Sequence, residues 1–382
     1  MKPIAIWLAV ILLYSCRPLV TTFGDSEPAI YYTASSQDTE EFHDSLVVMT
    51  WNIRFGAARI PWFGDSCGDR VLMTESETTG YLQKIATFIN STQPDILLLQ
   101  EVDVSSKRSA YVNQIQWLLD NTYFNYGAYA SMWDAQLIPS DGLGKVDVGN
   151  AVLSRWEITD AERIQLPLRT DQDALTQYFY LRRNILKVKI NLPDSESVIG
   201  QEFYAVNIHA TAFATDDTKQ KHIDKYKDVL DGLNQPRTIF VSGGDLNSIP
   251  TPTVNDSIDF CIEDMCSGES FHTDGDGGPH REGSYFDNFQ ATDNYPGEQN
   301  LLQPFYDDES LYTAINFSDR NLSDNFTHSP WNTDYDIQEY WDRKLDYLFT
   351  NFQDWSLTGK THNDIDKISD HAPVSATMDF TE

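Results

Sequence analysis

Short apolar runs alternate with segments of helical period along much of the chain. Residues 45–52 read as a strand, followed by a glycine-rich loop with Trp62, Phe63, Gly64 and Gly68. Thr74 and Glu77 have capping-box spacing, and Tyr81, Leu82, Ile85, Phe88 and Ile89 behind them fall on one helical face. Pro94-Asp95 ends that helix, and residues 96–99 form a buried strand ending in Gln100-Glu101. A second strand–helix–strand unit follows downstream. Residues 202–208 form a strand ending at His209, then Ile223, Tyr226, Val229, Leu230 and Leu233 mark a helix face. Pro236 stops the helix, and residues 238–241 are another short buried strand. Between the units the pattern predicts a helix around 111–119 and strands near 125–130, at 149–154 and at 180–190. A last strand covers 374–378. Strands alternating with helices predict an α/β protein.

Two stretches lack a period. Residues 17–44 are polar and acidic and read as a tether. Residues 251–340 are rich in Asp, Asn, Ser, Gly and aromatics, and read as long loops packed on one domain. Within them, residues 274–278 (Asp-Gly-Asp-Gly-Gly) fit a solvated turn better than a calcium loop, because the closing Glu is absent.

The chain start changes the picture. One lysine, an apolar run over residues 4–13 and then Tyr14-Ser15-Cys16 fit an export signal too short to span a bilayer. Residues 13–16 resemble the bacterial lipoprotein cleavage box, although Tyr14 stands where a small residue is usual. The expected organisation is a signal peptide over 1–15, a lipidated Cys16 with a tether to 44, and one domain over 45–382. The expected protein is a membrane-anchored lipoprotein of the bacterial cell envelope, the alternatives being an ordinary secretory signal or an uncleaved anchor. Export permits disulfides; Cys261 and Cys266 can close a small loop, which leaves Cys67 over.

Of 382 residues, 41% are hydrophobic and 13% aromatic, which is enough for a sizeable core. The formal charge of −31 argues against strong general affinity for nucleic acid. It does not exclude a site that holds a cation.

The candidate chemistry lies at the strand ends. Asn52, Glu101, His209, Asp245 and Asn247 all follow apolar strands directly, where α/β sheets gather ligands. Asp346 sits inside a strand, and Asp370-His371 precedes the last one. Each group alone also fits a structural role: Asn52 as a cap, Glu101 as a helix-start charge, and Gly243-Gly244-Asp245-Leu246-Asn247 as a turn. Together they form an oxygen-rich set with two imidazoles, suited to Mg²⁺, Mn²⁺ or Ca²⁺.

In order along residues 46–380, these blocks resemble the endonuclease/exonuclease/phosphatase superfamily, which includes deoxyribonuclease I. The matching stretches are 50–53 (Thr-Trp-Asn-Ile), 100–103 (Gln-Glu-Val-Asp), 149–155 (Gly-Asn-Ala-Val-Leu-Ser-Arg) and 207–209 (Asn-Ile-His). They continue at 244–247 (Gly-Asp-Leu-Asn), 345–347 (Leu-Asp-Tyr) and 369–371 (Ser-Asp-His). The resemblance implies a four-layer α/β/β/α sandwich of two mixed β-sheets with the site at one rim. It implies Glu101, Asn52 and Asp370 as metal ligands, with Mg²⁺ as the cofactor. It further implies Asp245 and Asn247 as the pair orienting the attacking water and phosphate. His371 resembles the catalytic histidine and Asp346 its carboxylate partner. His209 resembles a phosphate-binding hydrogen-bond donor that also serves the leaving group, and Asn150 a supporting residue.

The expected activity is metal-dependent phosphoester hydrolysis, most simply of a phosphodiester, by a monomer. The substrate stays open between nucleic acid, phospholipid and small phosphorylated metabolite. Lys107-Arg108 and Arg182-Arg183 are the close basic pairs near the expected rim, and aromatics over 331–341 are candidates for contact with lipid. The alternative is a catalytically inactive binding lipoprotein on the same scaffold. The completeness of Glu101, Asp245, His209 and His371 argues against it.

Overall fold

A computed structural model describes residues 19–37, 42, 45–63, 69–193, 200–212, 214, 216–250, 300–320, 322–329, 341, 343–352, 355, 358–365 and 367–380. Within them, fourteen strands form two mixed seven-stranded sheets. The first runs β13 (Lys360–Thr361), β14 (Val374–Asp379), β3 (Ser45–Asn52), β4 (Ile96–Asp103), β6 (Gly144–Ser154), β5 (Tyr126–Ile138) and β2 (Ile30–Thr33). The second runs β1 (Ser26–Pro28), β7 (Ile158–Gln165), β8 (Asn184–Ile190), β9 (Glu202–His209), β10 (Thr238–Asp245), β12 (Asp346–Thr350) and β11 (Tyr312–Thr313).

The period-2 pattern of the strands builds the layers. In β3, Leu46 and Val48 point to the opposite sheet and pack with Leu186, Val188 and Val241. Met49 and Trp51 point outward under α1 (Glu75–Thr92) and α2 (Gln114–Asn121). A short α3 (Ala174–Phe179) joins β7 to β8, and α4 (Thr218–Leu233) covers the second sheet. There Ile223, Tyr226 and Leu230 meet Val206, Ile208 and Phe240. The four-layer sandwich is the one expected. The capping box of α1 is also present, with Glu77 N–H donating to Thr74 Oγ1 at 3.2 Å and Thr74 N–H to Glu77 Oε2 at 2.8 Å. Such a cap contributes about 1 kcal/mol.

β3 and β4 are parallel and joined through α1, and β9 and β10 are parallel and joined through α4. All four therefore end at one rim, and the helices cross back on the outside. Beyond that rim the β5–β6 hairpin overhangs. Its residues Met132, Ala135, Ile138 and Val146 pack with Phe55, Ile60 and Trp62 into a small additional core.

The expected tether is corrected. Within residues 17–44, β1 pairs with β7 and β2 with β5, so this stretch supplies an edge strand to each sheet. Strands of three and four residues on sheet edges bury little, which is why no apolar period marks them. Boundaries shift elsewhere too. The helix expected from 111 starts at Gln114, the strand near 125–130 extends to Ile138, and the strand expected at 180–190 starts at Asn184. Residues 251–299, with Cys261, Cys266 and the 274–278 turn, lie outside the described residues, as do Cys16, Cys67 and Trp331. From the rest of the expected insertion, Leu301, Leu302 and Phe305 pack beside α4, and Trp341 is buried in the first sheet's helical layer.

Candidate active site

Two polar layers are stacked at this rim. The lower one is made of neutral amides between the sheets. Gln100 Nε2 donates to Asn207 Oδ1 at 2.7 Å and to Thr50 Oγ1 at 3.0 Å. Asn207 Nδ2 donates to the carbonyls of Leu99 and Ala151, both at 2.8 Å. Asn150 Nδ2 donates to Asn184 O at 3.0 Å, and Asn184 Nδ2 to Ser131 O at 3.0 Å. All of these residues are fully buried or nearly so.

The upper layer is charged. Asp346 Oδ2 lies 2.7 Å from His371 Nδ1, and His371 Nε2 lies 3.7 Å from Asp245 Oδ2. The same Asp245 oxygen lies 3.2 Å from His209 Nε2, whose distance to Glu101 Oε1 is 3.9 Å. Asn52 Nδ2 donates to Asp245 Oδ2 at 3.1 Å and to Glu101 Oε1 at 3.4 Å. Ser369 Oγ donates to Asn52 O at 2.7 Å, tying the Asp370-His371 segment to the end of β3. Residues from six separate chain segments thus converge on one patch.

Backbone geometry makes the patch possible. Residues 100 and 101 both oppose Asn150, a one-residue bulge in β4, and Glu101 has φ +56°. Such a conformation costs a non-glycine residue about 1–2 kcal/mol, and it turns the carboxylate out of the strand's alternation towards the rim. In β10, a Cβ on Gly244 (φ +143°) would lie 1.9 Å from Ile208 O, and one on Gly243 2.2 Å from Tyr347 O. Glycine is what lets three strands run abreast up to Asp245.

The electrostatics separate the two histidines. Burial works against a charge on His371, but the Asp346 and Asp245 carboxylates overcome it and push His371 up to about 10. His371 is an imidazolium between two carboxylates. Burial, aided by the Arg183 charge, lowers His209, which is neutral and donates through Nε2 to Asp245. Burial also opposes the Asp245 charge, but His371 and His209 hold that carboxyl well below the usual range. Burial pushes Asp346 up against the pull of His371. Asp370 is held low despite its burial by Arg54, His371 and Arg59, with Arg54 Nε at 3.3 Å and Arg59 Nη1 at 3.6 Å.

The residues fit a hard cation. Glu101 and Asp245 converge on one amide, and among the described residues neither forms an ion pair with Lys or Arg. Asp346 Oδ1 is buried without a hydrogen-bond partner. Two groups have ligand atoms close enough to share an ion: Asp245, Asp346 and His371, and His328, Asp370 and His371. The expected ligand set is divided: Asn52 and Glu101 adjoin, while Asp370 faces Arg54, Arg59 and His328.

A model of the Endonuclease/Exonuclease/phosphatase family matches residues 49–371. The chain belongs to this family. It carries the family's phosphoester hydrolase scaffold with a buried Asp/His cluster. Among solved structures, it is similar to an endonuclease/exonuclease/phosphatase from Beutenbergia cavernae DSM 12333, at 16% identity, 87% of this chain, 71% of that chain and TM-score 0.48. The human Nocturnin catalytic domain with bound sulfate aligns at 15% identity, 91% and 96% coverage and TM-score 0.48. A Bacteroides thetaiotaomicron VPI-5482 mannosyl-6-phosphatase aligns at 13% identity, 87% and 98% coverage and TM-score 0.45. No curated protein matches the chain.

Other site residues of this family member stand as follows. Asn247 (φ +48°) donates its backbone N–H to Asp245 Oδ1 at 2.9 Å and its Nδ2 to Ala210 O at 3.1 Å. Asn150 belongs to the amide layer, one step below the charges. Of the expected basic pairs, Arg108 is buried on Asp103 at 2.9 Å and Arg182 is occupied by backbone carbonyls. Arg183 is different: it is buried, its Nε and Nη1 have no hydrogen-bond partner, and His209 and Asp245 feel its charge. His328 bridges to His371 with ring centroids 5.1 Å apart. Sequence reasoning gave His328 no role, and it took Arg183 only as half of a basic pair.

Proposed function

We propose that the chain is a metal-dependent phosphoester hydrolase acting on a phosphodiester. The observation that carries this is the buried run Asp346–His371–Asp245–His209, which pairs a fixed imidazolium with an ionised carboxylate. Asp245 orients the attacking water and takes its proton as the water oxygen bonds to phosphorus. The bond from phosphorus to the leaving oxygen breaks on the opposite side, and that oxygen takes a proton from solvent. His371, held by Asp346, donates to the phosphoryl oxygens and stabilises charge developing on them. Arg183 has spare N–H groups for the same anion. Neutral His209 holds Asp245 in orientation. Asn52 and Glu101, which adjoin, would hold the cation, Mg²⁺ being the expected one, while Asp370 stays with Arg54 and Arg59; the bound cation would neutralise phosphoryl charge as a Lewis acid.

The test is hydrolysis of bis(p-nitrophenyl) phosphate with Mg²⁺. Activity is expected, abolished by EDTA and restored by metal. A chain inert on this substrate and on a panel of DNA, phospholipid and sugar phosphates would instead be a binding protein on the same scaffold. We further propose residues 1–15 as a signal peptide and Cys16 as a lipidated anchor on the cell envelope, with the protein monomeric. Labelled fatty acid should enter the wild-type chain and not Cys16→Ser.

A further inference from the structure

The end of the sandwich that bears the site also bears exposed apolar side chains. The β7–β8 connection leaves the second sheet at this rim and carries α3, a helix with no buried residue. Leu175 is 69% exposed and Tyr178 39%, one turn apart on the same face. Leu168, on the same connection, is 36% exposed. α3 adjoins the overhanging hairpin, where Trp133 Nε1 donates to Phe179 O at 2.8 Å. Four residues further along β5, Leu137 is 50% exposed. Leu19, 45% exposed, lies beside it, with Gln136 N–H donating to Leu19 O at 2.7 Å. Among the described residues at the opposite end, the connections at 93–95, 122–125, 155–157, 191–193 and 234–237 carry no large hydrophobic side chain so exposed; along the edge strand β2, Ile30 and Tyr31 are 52% and 49% exposed.

The start of the described chain docks at this same end. Val20 bridges to Ala135, and Thr21 donates its N–H to Asp134 O at 2.8 Å and its Oγ1 to Asp134 Oδ2 at 2.7 Å. Cys16 lies three residues before Leu19, a reach of about 10 Å at full extension. The apolar run over 4–13 lies just beyond it. A lipid on Cys16, or that run itself, held in a bilayer would keep the site-bearing rim at the membrane surface. Among the described residues, no helix is long and apolar enough to cross a membrane.

We propose that this end of the sandwich seats on a zwitterionic lipid surface through Leu19, Leu137, Leu168, Leu175 and Tyr178. The site then opens onto the headgroup layer and takes its phosphoester from a phospholipid. The net charge of −31 selects a zwitterionic over an anionic surface. α3 leads within four residues to Arg183, so the docking face and the anion-holding guanidinium lie on one continuous segment. The substrate half of this proposal rests on the hydrolase reading above; the docking half does not.

The full chain is tested on phosphatidylcholine vesicles by hydrogen–deuterium exchange. Protection is expected over 132–139 and 166–181, with none over 122–125 or 234–237. Vesicles with about a third phosphatidylglycerol should bind less. The triple variant Leu137→Glu/Leu175→Glu/Tyr178→Glu should hydrolyse phosphatidylcholine in vesicles at least tenfold more slowly than wild type. Its rate on bis(p-nitrophenyl) phosphate should be unchanged. Protection at the opposite end, no vesicle binding, or self-association of the chain through this face would overturn the docking. Equal vesicle hydrolysis by the variant would overturn the role of the rim. A protected chain that cleaves the soluble diester but no phospholipid would overturn the substrate class, and a protected chain inert on both would overturn the hydrolase reading alone.

Discussion

The amide layer and the charged layer are one residue apart and differ in what they leave unmet. In the lower layer, each Asn207 donor and acceptor is used, its bonds run from β9 to β4 and β6 across the sandwich, and the atoms left without partners, Gln100 Oε1 and Asn150 Oδ1, belong to neutral amides. In the upper layer, Asp346 Oδ1, His209 Nδ1 and two Arg183 nitrogens are buried without partners. Buried unpaired polar atoms cost about 1–3 kcal/mol each, so the upper layer is held in place at a loss that the lower layer and the cores offset. Stability and chemistry have been separated by a single step along the strands.

The strongest way to break that separation is Asp245→Asn. Hydrolysis of the soluble diester should fall by about 10²–10³-fold, while thermal melting stays within a few degrees of wild type. A variant that unfolded would show that the charged layer also supports the fold. Asn207→Ala should do the reverse. It removes the Nδ2 bonds to the Leu99 and Ala151 carbonyls and one of the Gln100 amide's bonds, and should lower unfolding free energy by about 2–4 kcal/mol in urea titrations.

A third test uses His222, buried below the rim on α4. Thr211 N–H donates to its Nδ1 at 3.1 Å, and Nε2 lies 2.7 Å from Pro167 O, which fixes a neutral tautomer. Burial pulls it down to about 4 in the folded chain. Unfolded, it titrates near 6.5, so between these values the unfolded chain binds the extra proton. Its contribution, at most about 3 kcal/mol, is full above pH 6.5 and is lost as pH falls towards 4. His222→Gln should flatten that slope in urea titrations at pH 7.0, 5.5 and 4.5. The smallest effect belongs to Arg183→Gln. Hydrolysis should fall about tenfold, and the melting temperature should hold or rise, since two unmet buried donors are removed.

Much of the site was legible because it stands at the ends of apolar runs. Asn52, Glu101, His209 and Asp245 each follow a strand whose burial forces the next residue to the rim. The same contrast hid β1 and β2, which lie on sheet edges and bury almost nothing. Arg183 looked like half of a surface pair, because sequence cannot tell a guanidinium bonded to carbonyls, such as Arg182, from its unmet neighbour. His328 was illegible for a different reason: its place beside His371 arises from a single bridge between loops.

The bulge in β4 has a consequence for insertions and deletions. Upstream of it Leu99 opposes Ala151, and downstream Val102 opposes Gly149, so the strand carries one residue more than its partner. That surplus residue lets Gln100 serve the amides and Glu101 the charges in immediate succession. Replacing Glu101 removes a carboxylate and leaves the chain's length intact. Deleting it would restore even pairing, leaving Val102 in the helical layer and Asp103 on Arg108, and would remove the extra residue that reaches the rim beside Gln100. At this position, length is as much a part of the site as chemistry.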